Sequence, residues 1–106
     1  MRQVEIYHNQ TPMGVLTKKA QDSYTFEYYP SYIETSLPPL SLTMPKTQKL
    51  YESDRLFPFF VALLPEGINR KTICMQNKID ENDDYSLLDF FVEKDIIGST
   101  YIKRLK

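Results

Sequence analysis

The first part of the chain alternates apolar and polar residues in the way that predicts β-strands. Residues 3–8 alternate, which indicates a strand with one buried face. A turn at residues 9–12 separates this strand from a second one at 14–17, so the two are expected to form a hairpin. Aromatic residues at every second position predict a third strand over 24–28, which Pro30 ends. The pattern therefore predicts a small antiparallel sheet.

The middle of the chain carries no long periodic pattern. Residues 31–39 are expected to be irregular, because two consecutive prolines enforce an extended backbone there. Residues 40–44 predict a short fourth strand, which Pro45 ends. Residues 46–53 are mostly polar and are expected to form a mobile connector.

From residue 57 the spacing of apolar residues changes from that of strands to that of helices. The first predicted helix covers residues 57–64, with Pro58 in its first turn, where a missing N–H costs nothing. Asp54 is the expected N-cap of this helix, and Pro65 ends it. The segment is thus predicted to be a short, very hydrophobic helix with a rigid exit.

Two further helices and a last strand are predicted after this segment. The second helix runs from residue 66 or 67 to 77. Its inward-facing residues are expected to be Ile68, Ile73 and either Cys74 or Met75. The third helix covers residues 85–93, and the acidic residues 80–84 before it are expected to form a loop and its N-cap. Gly98 is expected in a turn, and residues 100–105 in a strand that returns to the sheet.

The order of these elements, with strands first and helices afterwards, favours the α+β class. The expected architecture is a small antiparallel sheet, or a partly open barrel, with about three helices packed on one side. A chain of 106 residues with 42% apolar and 25% charged residues has the length and composition of one small globular domain. Residues 1–106 are therefore expected to form a single domain.

Charge and the scarcity of reactive side chains argue against several functions. The formal net charge of −1 gives no long-range attraction to phosphate or to anionic lipid, so neither direct nucleic-acid binding nor membrane binding is expected. His8 and Cys74 are the only residues of their types, and they make neither a structural zinc site nor a supported catalytic triad. We therefore predict no catalytic residue, no cofactor and no metal. The lack of a long apolar run and of a signal peptide favours the cytoplasm.

Two local patterns have a structural explanation that outweighs the functional one. The acidic residues 80–84 lack the central glycine and the closing glutamate of a calcium-binding loop, so helix capping is favoured. The tyrosines between residues 24 and 32 could stack nucleic-acid bases, but residues 24–42 contain no lysine or arginine. Core packing or a protein interface is the better interpretation of these tyrosines.

The helix predicted at residues 57–64 is apolar on more than one face. A small domain cannot easily bury both faces against itself, which favours a surface for a partner over the alternative, an ordinary core helix. The predicted partner-binding residues are Phe57, Phe59, Phe60, Leu63, Leu64, Pro65 and Glu66. The neighbouring residues 40–45 are expected to lie beside this surface.

Four segments of the chain, in order, resemble the N-terminal subdomain of HipA-type toxin kinases. They are MGVL at 13–16, PLSLTMP at 39–45, PFFVALLPEG at 58–67, and DDYSLL at 83–88 followed by DIIG at 95–98. The second and third segments together are specific, and the resemblance covers nearly the whole chain. The last segment departs from the family pattern on both sides of its turn. The family has Gly-Arg-Asp before the turn and Gly-Ala after it, whereas this chain has Glu-Lys-Asp at 93–95 and Gly-Ser at 98–99.

The resemblance implies a function through a partner protein. In the family, this subdomain precedes a kinase body that binds ATP and phosphorylates serine or threonine, and the motifs of that body are missing from this sequence. The implied function is a non-enzymatic regulatory or antitoxin component of a HipA-type toxin–antitoxin system, which binds a separately encoded HipA-like kinase core. The alternative is a structural subunit that completes and stabilises the kinase without inhibiting it. The resemblance also implies a HipB-like DNA-binding protein as the third member of such a system. This chain would associate with it through the complex and would not itself contact DNA.

Overall fold

An antiparallel sheet forms the centre of the protein. The computed structural model describes residues 2–62, 64, 66–92 and 100–104. The strands are β1 (Arg2–His8), β2 (Thr11–Ala20), β3 (Ser23–Tyr28), β4 (Leu50–Ser53) and β5 (Thr100–Arg104). The helices are α1 (Pro30–Ile33), α2 (Pro58–Val61), α3 (Gly67–Asn77) and α4 (Asp84–Val92). The strand order is β4-β3-β2-β1-β5, so the last strand returns to pair with the first, as the sequence predicts.

One face of the sheet carries the core. Residues directly opposite each other on neighbouring antiparallel strands point to the same face. One such row runs across the sheet through Val4, Leu16 and Phe26, which are all fully buried. The ring of Phe60 in α2 lies 6.3 Å from the ring of Phe26. Helix α2 therefore packs on this face, which we call the inner face.

Helix α4 packs on the same inner face. The ring of Tyr85 lies 6.3 Å from the ring of Tyr24, which is two positions before Phe26 on β3 and so shares its face. Leu87 and Leu88 of α4 are fully buried. The predicted α+β class, with an antiparallel sheet and helices on one side, is thereby confirmed.

The fourth strand lies elsewhere than the sequence predicts. Residues 40–44 form turns, so the prediction of a strand there is wrong. Strand β4 falls instead within residues 46–53, where a connector is expected, and it pairs with β3 so that Tyr51 lies opposite Phe26. Four residues at the edge of a sheet leave little local alternation to detect, and the pairing joins distant parts of the chain.

Helix α2 confirms the role of Pro58 and corrects the predicted cap. The helix has four residues with Pro58 in its first turn, and Phe57, not Asp54, is the N-cap residue. The backbone N–H of Phe60 donates to the carbonyl oxygen of Phe57 at 2.9 Å. Pro30 has the same first-turn role in α1, a helix that falls partly in the region expected to be irregular.

Helix α3 has the predicted bounds but turns a different face to the core. Cys74 is 3% exposed, whereas Ile68, which the sequence places inward, is 81% exposed. Six positions separate the two residues, which at about 100° per residue puts them about 240° apart around the axis. The prediction that Ile68 faces inward is therefore wrong. Met75 is 80% exposed, so Cys74 is the inward residue of that pair.

Some sequence predictions lie outside the described residues. These are the turn at Gly98, the end of the third helix at Glu93 and the end of the last strand at Leu105. Within the described residues, none of the helices has the length and hydropathy needed to cross a membrane.

Candidate protein-interaction site

The segment predicted to bind a partner divides into buried and exposed residues. Phe57, Phe60 and Leu64 belong to the protein's own core, with exposed fractions of 6%, 0% and 5%. Phe59 is half-buried and Glu66 is exposed. Of the predicted partner-binding residues that the structure describes, Phe59 and Glu66 are the two that offer side chains to a partner while the domain keeps its core intact.

The buried residues of this segment still shape its surface. The rings of Phe59 and Phe60 meet edge to face, with centroids 5.4 Å apart, so the buried ring fixes the position of the outer one. Val61 is half-buried and lies on the same short helix. Leu63 and Pro65, the remaining predicted contacts, lie outside the described residues. Among the described residues, Phe59, Val61 and Glu66 therefore lie at the surface of α2 and its exit, together with the exposed Pro58 and Ala62.

A loop formed by residues 38–45 is fastened to the inner face by Tyr28. The hydroxyl of Tyr28 accepts the backbone N–H of Leu40 at 2.8 Å and donates to the carbonyl oxygen of Met44. Burial raises the pKa of Tyr28, and the hydrogen bond from Leu40 only partly offsets this, so the phenol remains a protonated donor. One side chain thus satisfies a donor and an acceptor on opposite arms of the loop.

Two more tyrosines hold the ends of the 38–45 loop. The hydroxyl of Tyr32 donates to the carbonyl oxygen of Pro38, and that of Tyr51 donates to the carbonyl oxygen of Pro45 at 2.6 Å. The rings of Tyr28 and Tyr32 are parallel, with centroids 6.1 Å apart. The many tyrosines of the sequence therefore serve packing and loop fixation, which the sequence indicates only in the general form of core packing or an interface.

The result of this anchoring is that Leu42 projects from the 38–45 loop into solvent. Leu40 and Met44 are buried on either side, while Leu42 between them is 96% exposed. The hydroxyl oxygens of Ser41 and Thr43 lie 3.0 Å apart, and the N–H of Met44 donates to the carbonyl oxygen of Ser41 at 3.1 Å. Because the backbone of this turn is already fixed, a partner that covers Leu42 has to order its side chain but not the loop.

Lys46 closes the base of the same loop. Its ammonium nitrogen donates to the carbonyl oxygens of Thr35 and Leu37, both at 2.7 Å, and lies 5.0 Å from the centre of the Tyr32 ring. The lysine thus ties the end of α1 to the loop with charge-assisted hydrogen bonds. Its role in the described structure is to position the loop.

A group of charged residues joins α4 to the sheet. The guanidinium of Arg2 lies 4.7 Å from the centre of the Tyr85 ring, and the ammonium of Lys18 lies 3.7 Å from the carboxylate of Asp83. Asp83 also accepts the backbone N–H of Ser86 at 3.0 Å, so it caps α4. The predicted capping role of the acidic residues 80–84 is confirmed at this position.

The carboxyl of Asp83 is held in its charged form. Partial burial by itself raises the pKa of this carboxyl, but hydrogen bonds from the hydroxyl and backbone N–H of Ser86 act against burial. The positive charges of Lys18 and Arg2 act in the same direction as these hydrogen bonds, and the pKa of Asp83 lies below its ordinary value. The site stabilises a helix start and has no free reactive group.

A second polar group lies on the outer face of the sheet. The carboxylate of Glu5 accepts the hydroxyls of Tyr7, at 2.7 Å, and Tyr29. Burial, followed by the hydrogen bond to Glu5, raises the pKa of Tyr29 to about 12. The hydrogen bond to Glu5 is the main cause of a raised pKa in Tyr7. Phenols of this kind remain protonated near neutral pH and are poor acids or nucleophiles there.

The described residues offer little to a metal or a small molecule. No group of three or more His, Cys, Asp or Glu side chains among them is placed to hold a metal ion. An open cavity of about 380 Å³ lies between the β2–β3 turn and the α3–α4 loop. Its lining residues are Lys18, Gln21, Asp22, Tyr24, Asp54, Arg55, Leu56, Asp80, Asn82, Asp83 and Asp84. This polar lining lacks the apolar walls that a small-molecule site needs.

Taken together, the geometry defines a small α+β domain with anchored, exposed apolar residues. Its sequence matches the family described as the HipA N-terminal domain over residues 4–102, and the chain belongs to this family. The family connects the chain to HipA-type toxin–antitoxin systems, and the resemblance drawn from the four sequence segments is confirmed.

Two similar proteins illustrate the range of the family. An uncharacterized protein of Haemophilus influenzae is 36% identical over 73 residues, which cover 69% of this chain and 66% of that protein. The chain therefore matches just under two thirds of the length of this relative. A solved N-terminal domain of HipA toxin superposes with a TM-score of 0.71 at 22% identity, covering 100% of this chain and 94% of that one. At this identity the likeness concerns the fold alone.

Proposed function

We propose that this chain is a non-enzymatic regulatory or antitoxin component of a HipA-type toxin–antitoxin system that binds a separately encoded HipA-like Ser/Thr kinase core. The observation that carries the proposal is the family match over residues 4–102, which accounts for nearly all of the chain. The polar groups that the structure describes support it, because each of those discussed above serves a cap, a loop or the sheet.

The proposed contact surface is the exposed part of two segments, the α2 segment and the 38–45 loop. Phe59, Val61 and Glu66 supply the part around α2, and Leu42 supplies the tip of the 38–45 loop. Apolar side chains carried on a backbone that is already fixed before binding give affinity without the cost of ordering a loop. Phe57, Phe60 and Leu64 act behind this surface by fixing its shape.

Docking of this chain would change the kinase by favouring one conformation over another. A ligand that binds the inactive conformer more tightly by a few kcal/mol shifts most of the population to it. This accounts for an antitoxin role through restricted lobe closure or an occluded active site. A structural subunit would use the same surface but bind the active and inactive conformers equally well.

The experiment that tests the proposal is co-expression of this chain with a HipA-like kinase core encoded beside it. We expect the two to co-purify and the kinase to phosphorylate less in the complex than alone. A stable complex with unchanged or higher phosphorylation would instead assign the structural-subunit role. If the two purified proteins do not bind each other, the proposed function is wrong.

A pair of leucine variants locates the surface. Leu42→Ser removes a fully exposed side chain and should leave the fold intact, while weakening binding at least about tenfold, as expected for a hot-spot residue. Leu50→Ser is the matched control, because Leu50 is 43% exposed and lies on the outer face of β4. Equal binding by wild type and Leu42→Ser would remove the loop from the interface. Phe60 is unsuitable for this test, since a polar residue at a fully buried position would unfold the domain.

A further inference from the structure

Helix α3 presents an apolar stripe that the described residues leave exposed. Ile68 and Met75 are 81% and 80% exposed, although both are large apolar side chains. They are seven positions apart, which places them on the same side of the helix, two turns from each other. Thr72, also exposed, lies between them on this side. Two aligned apolar residues on an exposed helix face are a pattern that a second helix can cover.

Two exposed lysines lie beside and just beyond this stripe. Lys71 lies between Ile68 and Met75 along the helix, about 60° around the axis from Ile68, and Lys78 is the C-cap residue that ends α3. Both lysines are exposed, and neither forms an ion pair with the described residues. Arg70 lies on the opposite side of the helix, about 160° around the axis from Ile68, and its guanidinium is already paired with Asp84 and with the carbonyl oxygen of Glu81. The two lysines are therefore the charges that α3 has available for a partner.

We infer that α3 docks an amphipathic helix of the kinase partner whose apolar stripe is flanked by Asp and Glu side chains. This inference rests on the proposed function and extends the contact beyond the α2 segment. The apolar residues of the incoming helix cover Ile68 and Met75, and its carboxylates pair with Lys71 and Lys78. The surface continues the α2 surface along the chain, since Glu66 is the N-cap residue of α3.

The charges argue against a second copy of this chain as the occupant. Two copies of α3 related by a two-fold axis could run parallel, with Lys71 of each copy beside Lys71 of the other, or antiparallel, with Ile68 of each against Met75 of the other. In the antiparallel case the axis would pass between positions 71 and 72, and the Lys71 side chains of the two copies would face each other. Like charges placed together in this way oppose association. The carboxylates of an acidic helix would instead form ion pairs with Lys71 and Lys78.

The first test measures binding to the purified kinase core that co-purifies with the wild-type chain. Ile68→Glu and Met75→Glu should each weaken binding at least about tenfold, because a carboxylate would replace an apolar contact and face acidic residues. Asn69→Glu and Gln76→Glu are the matched controls, since they add the same charge at exposed positions of α3 beside the stripe. They should change the dissociation constant by less than about twofold. Circular dichroism melts of all four variants establish that the fold is retained.

The outcomes separate the inference from the proposed function. If the wild-type chain binds the kinase and the Ile68 and Met75 variants bind equally well, the α3 surface is wrong and the proposed function stands. If the wild-type chain does not bind, the proposed function is wrong and the inference falls with it. Lys71→Glu and Lys78→Glu should weaken binding and flatten its dependence on salt, and unchanged salt dependence would contradict the acidic flanks.

A cross-linking experiment identifies the occupant directly. A photo-reactive phenylalanine analogue in place of Thr72 sits between the two apolar residues of the stripe. In the purified complex it should cross-link to a helix of the kinase that has Asp or Glu beside an apolar stripe. A cross-link to a second copy of this chain, or to a segment of the kinase without acidic residues, would overturn the inference.

Discussion

The hydroxyl oxygen of Tyr28 lies 2.8 Å from the backbone nitrogen of Leu40 and accepts its hydrogen, so a strand side chain provides the partner that a loop N–H would otherwise lack. The same hydroxyl donates to the carbonyl oxygen of Met44. Leu42 lies midway between these two fixed points and is almost fully exposed. Among the side chains that hold this loop, Tyr28 is therefore the one that bonds the backbone on both sides of Leu42, and it is itself fully buried.

Removal of that hydroxyl should destabilise the domain and free the loop. Tyr28→Phe keeps the ring packing but leaves the N–H of Leu40 and the carbonyl of Met44 without this partner. A buried group left unsatisfied costs about 1–3 kcal/mol, so the free energy of unfolding should fall by that amount. Urea unfolding measures the loss, and amide hydrogen exchange at Leu40 should become faster.

Tyr51→Phe is the matched control for this prediction. Its hydroxyl also bonds a loop carbonyl, that of Pro45, but at an exposed position where water can replace it. The expected loss is below about 1 kcal/mol. Equal losses in the two variants would contradict the special role of Tyr28.

The helical half of the fold could be predicted largely from local pattern. Pro58 marks the first turn of α2, and the bounds of α3 and α4 follow from apolar spacing and the acidic residues before α4. The strand β4 could not be predicted in this way, because it depends on Tyr51 pairing with Phe26 far away along the chain. Residues 40–44 alternate like a strand, yet their backbone groups bond tyrosine hydroxyls, which no local pattern reveals.

The candidate site was predictable as a segment but not as a set of side chains. The run around α2 is apolar at almost every position, so its periodicity could not tell the buried Phe60 from the half-buried Phe59. That distinction depends on the packing of Phe60 against Phe26. The prediction that Ile68 faces inward was wrong for a related reason. The side of α3 that meets the core is the one that carries Cys74, not the one that carries Ile68.

Gly14 should tolerate no side chain, because β2 and β3 approach closely there. A Cβ atom at this position would lie 2.3 Å from the carbonyl oxygen of Glu27 and 2.9 Å from the ring of Phe26. Backbone cannot yield as a side-chain end can, so Gly14→Ala should cost about 1–3 kcal/mol in the free energy of unfolding. Chemical denaturation of the variant measures this loss.

Gly67→Ala separates steric crowding from backbone strain. A Cβ at Gly67 meets nothing within 4 Å, but its φ of +63° is one that alanine adopts at a cost. We expect a loss of about 1 kcal/mol, smaller than that at Gly14. A larger loss of unfolding free energy at Gly67 than at Gly14 would contradict the prediction that crowding between β2 and β3 costs more than backbone strain.

Lys78→Gly should stabilise the domain. Lys78 ends α3 in the left-handed conformation, with φ 58° and ψ 42°, and its N–H donates to the carbonyl oxygen of Cys74. Glycine adopts this conformation without the Cβ penalty, so the free energy of unfolding should rise by up to about 1 kcal/mol. Lys71→Gly, within the same helix, should lower it by about 1 kcal/mol. Thermal and urea unfolding of the two variants should thus shift in opposite directions, and a shift in the same direction would contradict the strain at Lys78.

The capping carboxylate of Asp83 should make the stability of the domain depend on acidic pH. Its pKa is lower in the folded protein than in the unfolded chain, so the unfolded chain binds a proton more readily as the pH falls. The contribution of this carboxylate is therefore complete above its ordinary pKa and is lost as the pH falls through the lowered, folded value. Protonation weakens the bonds from Ser86 and the ion pair with Lys18.

Asp83→Asn isolates the charge, because asparagine keeps an oxygen that can accept the N–H of Ser86. At neutral pH the variant should be less stable by about 0.5–1 kcal/mol, from the lost interaction with Lys18 and with the helix start. The difference from wild type should shrink towards zero as the pH falls below the lowered pKa that Asp83 has in the folded protein, since both side chains are then neutral. Asp22→Asn, at an exposed turn position, is the control and should match wild type at every pH. Urea unfolding at a series of pH values measures all three proteins, and a constant difference between wild type and Asp83→Asn would mean that the carboxylate charge does not stabilise α4.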